Sequence, residues 1–170
     1  MQITDARALR RASLSPSSRR ARRIVAIAAF GAADSLLVAL RQTGALRHLP
    51  DPPFARRVFD SDFVTTSLAA YEPGAPDATL GALMFTGVAV AATAFANERG
   101  ARRRFFALAA AATAVGGAIG AIHYLREMSH LRRWCVFCLG TAAASFALLP
   151  DVFAEAYSSS QFALRDQNVT

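Results

Sequence analysis

The chain holds two cysteines, Cys135 and Cys138, three residues apart in "RRWCVFCLGTAAASFALL", where a basic pair meets an apolar run. On a helix, residues at i and i+3 share a face, so this spacing brings the two thiols together. A thiol at a helix start also lies near the positive end of the macrodipole, which favours the thiolate. Arg132 and Arg133 just upstream add to that field. A stabilised thiolate with a partner able to close a disulfide has the parts of a redox centre. Two other readings stay open. Inert cysteines packed in a helix are one. Metal binding is the other, but it is short of ligands: only His48, His123 and His130 are left to join a site that needs three or four.

Such a pair needs elements to hold it. The 170 residues are 54% hydrophobic, with a net charge of +7 carried by 19 arginines and no lysine. That combination does not suit a soluble domain, because the apolar surface outruns the core available to bury it. The apolar residues fall into four runs: Ile24–Leu40, Ala78–Asn97, Phe105–Leu125, and Trp134 to Leu149 or Ala156, depending on whether Pro150-Asp151 ends the last. A bilayer core takes roughly 17–25 helical residues, and aromatic or arginine flanks extend the shorter runs. The first run lacks the cleavage site of a removable signal peptide and is read as a retained helix. The third shows no polar face before His123, as a soluble bundle would require. The expected fold is all-α, a polytopic membrane protein with a four-helix transmembrane bundle and a capping loop. Residues 1–22 form a basic tail, 23–157 the membrane domain and 158–170 a second tail.

Arginine placement sets the orientation. The tail "RRASLSPSSRRARR" and the link "ERGARRR" are separated by two spans and share a side. With Arg7 they hold eleven arginines, against seven on the opposite side. The positive-inside rule then puts both termini in the cytoplasm of a cell inner membrane. The basic tail is read as a topology signal, in preference to a nucleic-acid site. The cysteine pair falls at the extracytoplasmic face, where a dithiol can cycle.

The long loop "RHLPDPPFARRVFDSDFVTTSLAAYEPGAPDATLGALMFTG" adds further features: "VTTS" from Val64, and "GAPDATLG" leading into the second span. Together with "GAADSLLVAL" in the first span and "CVFC", they make the chain resemble the vitamin K epoxide reductase family over roughly residues 24–150. The resemblance implies a membrane enzyme that couples thiol oxidation to quinone reduction. It implies that Cys138 lies next to the quinone. Cys135 exchanges with an outer pair, through which a thioredoxin-like extracytoplasmic dithiol protein is oxidised. The chain departs from that pattern. Ser61 stands where a loop cysteine is expected, "DPPFARR" lacks the other, and Ala142 replaces the tyrosine that bonds the quinone. Asp77 matches the family's asparagine before the second span and is the expected hydrogen-bonding partner of a quinone oxygen. Quinone contacts are therefore assigned to Asp77, Phe137 and Ala142. Without loop cysteines, Cys135 is expected to take electrons straight from a partner's dithiol, at the aqueous edge, with Cys138 buried one turn deeper.

Other residues carry two readings each. Asp34, inside the first span, costs about 2.5–3.5 kcal/mol to insert and must face the bundle, as a packing carboxyl or a proton donor. His123 reads as an interfacial residue or a proton donor. Gly116, Gly117 and Gly120 read as close helix packing. Trp134, Phe137 and Tyr124 read as interface aromatics, and an aromatic beside the pair could also stack on a quinone ring. Pro50, Pro52, Pro53, Pro73 and Pro76 stiffen the loop into a cap. Two function classes follow: a thiol–quinone oxidoreductase, or a non-enzymatic scaffold of the same fold that binds quinone or a partner protein and keeps a static disulfide.

Overall fold

The computed structural model describes residues 16–55, 58–71 and 76–167. Most of the basic tail, including Arg7, Arg10 and Arg11, lies outside the described residues, as do Arg56, Arg57, Pro73 and the start of the "GAPDATLG" turn. Four long helices carry the chain: α1 (Pro16–Gln42), α3 (Asp77–Asn97), α4 (Gly100–Leu131) and α5 (Val136–Gln167), with a short α2 (Ser61–Thr65) in the long loop. All four long helices are long and apolar enough to cross a membrane. Helix α1 packs on α3 and α5, and α4 packs on the same two, so the four close a ring of successive antiparallel neighbours.

One half of this ring is packed and the other is hollow. In the packed half, Ile24, Phe85, Val88, Phe95, Leu148 and Val152 are fully buried among alanines such as Ala92, Ala107 and Ala114. Small residues let helix backbones approach where lipid offers no hydrophobic drive for association. Phe30, Leu83, Val90, Phe105, Ile119 and Phe153 point outward, the face a bilayer would solvate.

Helix lengths exceed the apolar runs at both ends. Helix α4 begins at Gly100, so Arg102, Arg103 and Arg104 form its first turns instead of a link. Helix α5 continues through Pro150 to Gln167, past the expected tail boundary at residue 158. Proline removes one backbone hydrogen bond there. Beyond it, Val152, Glu155, Ala156 and Ser159 are all buried, and this packing holds the helix together. Glu155, absent from the sequence reading, is completely buried. Its Oε1 accepts from Arg103 Nε at 3.1 Å and Nη2 at 2.5 Å, and its Oε2 accepts from Arg20 Nη1 at 3.3 Å. The arginines of α1 and α4 thus converge on one carboxylate of α5.

At the opposite end the chain turns sharply between α4 and α5. Arg132 takes φ +53°, a left-handed conformation that lets the Arg132 and Arg133 amides cap Ser129 and Met128. The next residue, Trp134, pairs with the long loop: its N–H donates to Val58 O at 3.0 Å, and its O accepts from Asp60 N at 2.9 Å. The loop is thereby laid across the start of α5 as a cap.

Candidate functional site

Cys135 sits immediately before α5, and its carbonyl accepts the helix's first bond, from Leu139 N at 3.0 Å. Three residues on, the Cys138 N–H donates to Cys135 Sγ at 3.1 Å, so the sulfur caps the helix start. The two residues are disulfide-bonded, with their Cα atoms 5.1 Å apart, inside the range such a bond accepts. The i, i+3 spacing does what the sequence implied.

Their environments differ from expectation. Cys135 is 0% exposed, packed with Val64 of the loop and Met128 of α4. Cys138 is the half-buried member of the pair, and it lines a cavity. Against expectation, Cys135 is sealed from the aqueous edge, and Cys138, one turn deeper, is open to the cavity. The cause is long-range: the loop folds over the turn at Trp134. Ser61, also completely buried, accepts from Val136 N at 3.2 Å, and its own Oγ and N donate to Asp51 at 2.6 and 2.8 Å. The residue in the place of a loop cysteine therefore reaches the first turn of α5 as a hydrogen-bonded plug.

A second latch lies at Asp62. Its Oδ1 accepts from Arg41 Nε at 2.5 Å and from Leu49 N at 3.1 Å, and its Oδ2 meets His48 Nδ1 at 3.0 Å. Burial pushes this carboxyl up. The bonds from Arg41, His48 and Leu49, with the Arg41 charge, outweigh that and hold it below its ordinary value.

The cavity occupies the hollow half of the bundle, with a volume of about 500 Å³, the size of a small-molecule site. Each helix supplies one face at helical spacing. Helix α4 gives Thr113, Gly116, Gly117, Gly120, Ala121 and Tyr124; α5 gives Cys138, Thr141, Ala142 and Ser145. An added Cβ on Gly117 would stand 2.1 Å from Met84 Sδ, so that glycine does serve close packing. At Gly116 and Gly120 a Cβ would meet nothing within 4 Å. Those two hollow out the wall, where the sequence suggested helix contact.

The cavity's polarity is concentrated at one end. Thr113 and Ser145 turn their hydroxyl protons back to helix carbonyls, Ala109 O at 2.8 Å and Thr141 O at 3.0 Å. The Thr141 hydroxyl donates to Asp34 Oδ2 at 2.7 Å. Asp34 thereby ties α1 to α5, as the packing reading has it. At the loop end, Asp77 accepts hydrogen bonds from Gln42 Nε2 and its neighbour Ala78 N. Asp77, Tyr124 and Cys138 share the wall.

Of the residues assigned to a quinone, Asp77 and Ala142 line this cavity and Phe137 does not. Phe137 precedes Cys138 by one residue, which turns it about 100° away on a helix, into the cluster around Cys135 and Met128. His123 is exposed, its ring edge-on to Tyr124 at 5.3 Å, and does not line the cavity. From sequence, Tyr124 reads as an interface aromatic, yet it lines the cavity. The signal that would have found it is its place at i+4 and i+8 from Gly120 and Gly116, on the same helix face.

Apolar walls with one hydrogen-bonding end suit a flat, mostly apolar ring that carries a carbonyl oxygen. Cys138 of the disulfide opens onto that space. No curated protein and no solved structure gives a significant match to the chain. The vitamin K epoxide reductase family profile matches residues 22–153. That stretch takes in the disulfide, the capping loop and every cavity-lining residue, and the chain belongs to the vitamin K epoxide reductase family, membrane oxidoreductases of thiol and quinone chemistry.

Proposed function

We propose that the chain is a thiol–quinone oxidoreductase of a cell inner membrane that supports disulfide formation outside the cytoplasm. The observation that carries this reading is Cys138, bonded to Cys135 and lining a cavity whose polar end is Asp77 and Tyr124. The arginine-rich end faces the cytoplasm under the positive-inside rule, so the capped end lies on the oxidising side. Redox-active centre, substrate and orientation then agree.

A quinone bound there supplies a two-electron, two-proton acceptor. The chain's residues do the rest. A thiolate of a partner's dithiol attacks Cys135 Sγ, breaking the Cys135–Cys138 bond and releasing Cys138 as the leaving thiolate. The partner's second thiol closes the partner disulfide and frees Cys135. Closure of the Cys135–Cys138 bond returns two electrons, delivered at Cys138 into the cavity. Asp77, with Tyr124, orients a ring oxygen, Ala142 leaves room for the ring, and the apolar wall excludes water. Because Cys135 is covered, the exchange step requires the loop to lift from Trp134 and Val136. A thioredoxin-like extracytoplasmic protein with an accessible dithiol fits the partner's role.

One observation favours the second reading. The complete burial of Cys135 beneath Val64 is what a scaffold with a static disulfide would show. Trapping separates the two. Cys138→Ser leaves Cys135 as a lone thiolate that attacks the partner's disulfide, releasing one partner thiolate, and no neighbouring thiol is left to displace the partner again. Cys135 should therefore accumulate as a mixed disulfide with an extracytoplasmic dithiol protein, whereas Cys135→Ser should trap none. Absence of any complex from the Cys138→Ser variant would favour the scaffold.

A further inference from the structure

Electron pairs cross a protein through disulfide bonds, but protons do not travel with them. Under the thiol–quinone reading, on which this inference rests, oxidation of a partner's dithiol releases two protons at the loop side. Two protons are consumed inside an apolar cavity. A separate route has to join the two places.

A second, small chamber lies between the loop and the large cavity. Its volume is about 30 Å³, room for a single water. Val38, Asp77, Tyr124 and Cys138 line both spaces, so the two meet at these four side chains, three of them polar or sulfur-bearing. Glu127, half-buried on α4, lines the chamber one turn from Tyr124 towards the loop. The titratable groups facing the chamber are Asp77 from α3, Tyr124 and Glu127 from α4, and Cys138 from α5. Helix α1 and the loop contribute neutral residues, among them Gln42, Thr65 and Ser67.

We infer that Glu127, Tyr124 and a water held in this chamber form the path by which protons enter the cavity from the loop side. The Glu127 carboxylate takes a proton from that side and passes it through the water to the Tyr124 hydroxyl. The hydroxyl's own proton moves to Asp77, which lines the same two spaces, and from there into the cavity. Each O–H bond broken is replaced by one formed. The two electrons leave separately, as the Cys135–Cys138 bond closes. Glu127 is a positioning and relay residue and touches no substrate.

The test uses the full chain in liposomes, with dithiothreitol as dithiol and a short-chain quinone as acceptor. Glu127→Gln should lower kcat by about a hundredfold, the scale of a lost proton-transfer group, and leave the KM for quinone unchanged. Added formate should restore part of the rate, and Glu127→Asp should keep most of it. A second readout needs no quinone: reducing the disulfide with dithiothreitol should shift a carboxyl infrared band that is missing in Glu127→Gln. An unchanged kcat in Glu127→Gln overturns the inference, as does a loss that neither formate nor Glu127→Asp repairs. If the wild type delivers no electrons to quinone, the oxidoreductase reading fails and the infrared band decides the relay. Its absence from Glu127→Gln then supports the relay, and its persistence there overturns it.

Discussion

Arg103→Ala is the substitution whose effect follows most directly from the structure. Glu155 is wholly buried, and two of its hydrogen bonds come from the Arg103 guanidinium. Removing one partner of a buried ion pair strands the other charge, at a cost of about 3–5 kcal/mol. Arg20 remains 3.3 Å from Oε2, so the lower end applies, about 3 kcal/mol. Glu155→Leu should behave differently. The side chains of Arg20 and Arg103 are 29% and 26% exposed and can turn to water, while leucine fills an apolar site, so this variant should stay within about 1 kcal/mol of wild type. The double variant should recover most of what Arg103→Ala loses. Equilibrium unfolding by SDS in mixed micelles, followed by the emission of Trp134, measures all three. A double variant less stable than Arg103→Ala would show that the stranded carboxylate is not the source of the loss.

Three further outcomes follow. Gly120→Leu projects into open space, so the fold should survive while quinone KM rises at least tenfold; an unchanged KM would remove this wall from the site. In intact cells, a membrane-impermeant maleimide should label Leu68→Cys, at a loop position 91% exposed, and spare Arg102→Cys, and reversed labelling would invert the topology. Because Asp62 is held below its ordinary value of 3.8, its contribution to cap docking is complete above that pH. It is lost as pH falls through the lowered folded-state value. Trp134 emission should therefore stay constant from pH 7 to about 5 and change below about 4, and the transition should disappear in Asp62→Asn.

Hydropathy made the four helices legible, because a bilayer demands long apolar runs, and the cysteine spacing made the disulfide legible, because it needs only one helical turn. Features that depend on remote segments were not. Cys135 is covered because residues 58–61 pair with residues 134–136, a contact that nothing local to "CVFC" announces. Pro150 signalled a helix end by its own chemistry, yet the burial of Val152 and Glu155 beyond it prevails. Glu155 carries no local signal, because its partners Arg20 and Arg103 lie on other helices. The glycines on α4 were seen, but whether such a stripe packs or hollows depends on the facing helix: Met84 meets Gly117 and nothing meets Gly116 or Gly120. Loop cysteines were absent in sequence and Ser61 was noted in their place. Its bond with Val136 joins residues 75 apart in the chain, which no local pattern announces.

The central claim is that the Cys135–Cys138 pair cycles with quinone, and the redox state of the pair in living cells tests it most directly. Acid-quenched cells, alkylated with a mass-tagging maleimide, report oxidised and reduced chains as separate bands on a gel. The account predicts that the pair is mostly oxidised in quinone-replete cells, becomes reduced when quinone synthesis is blocked, and is reoxidised when quinone is restored. A pair that stays oxidised throughout would contradict it, since a static disulfide does not respond to its acceptor.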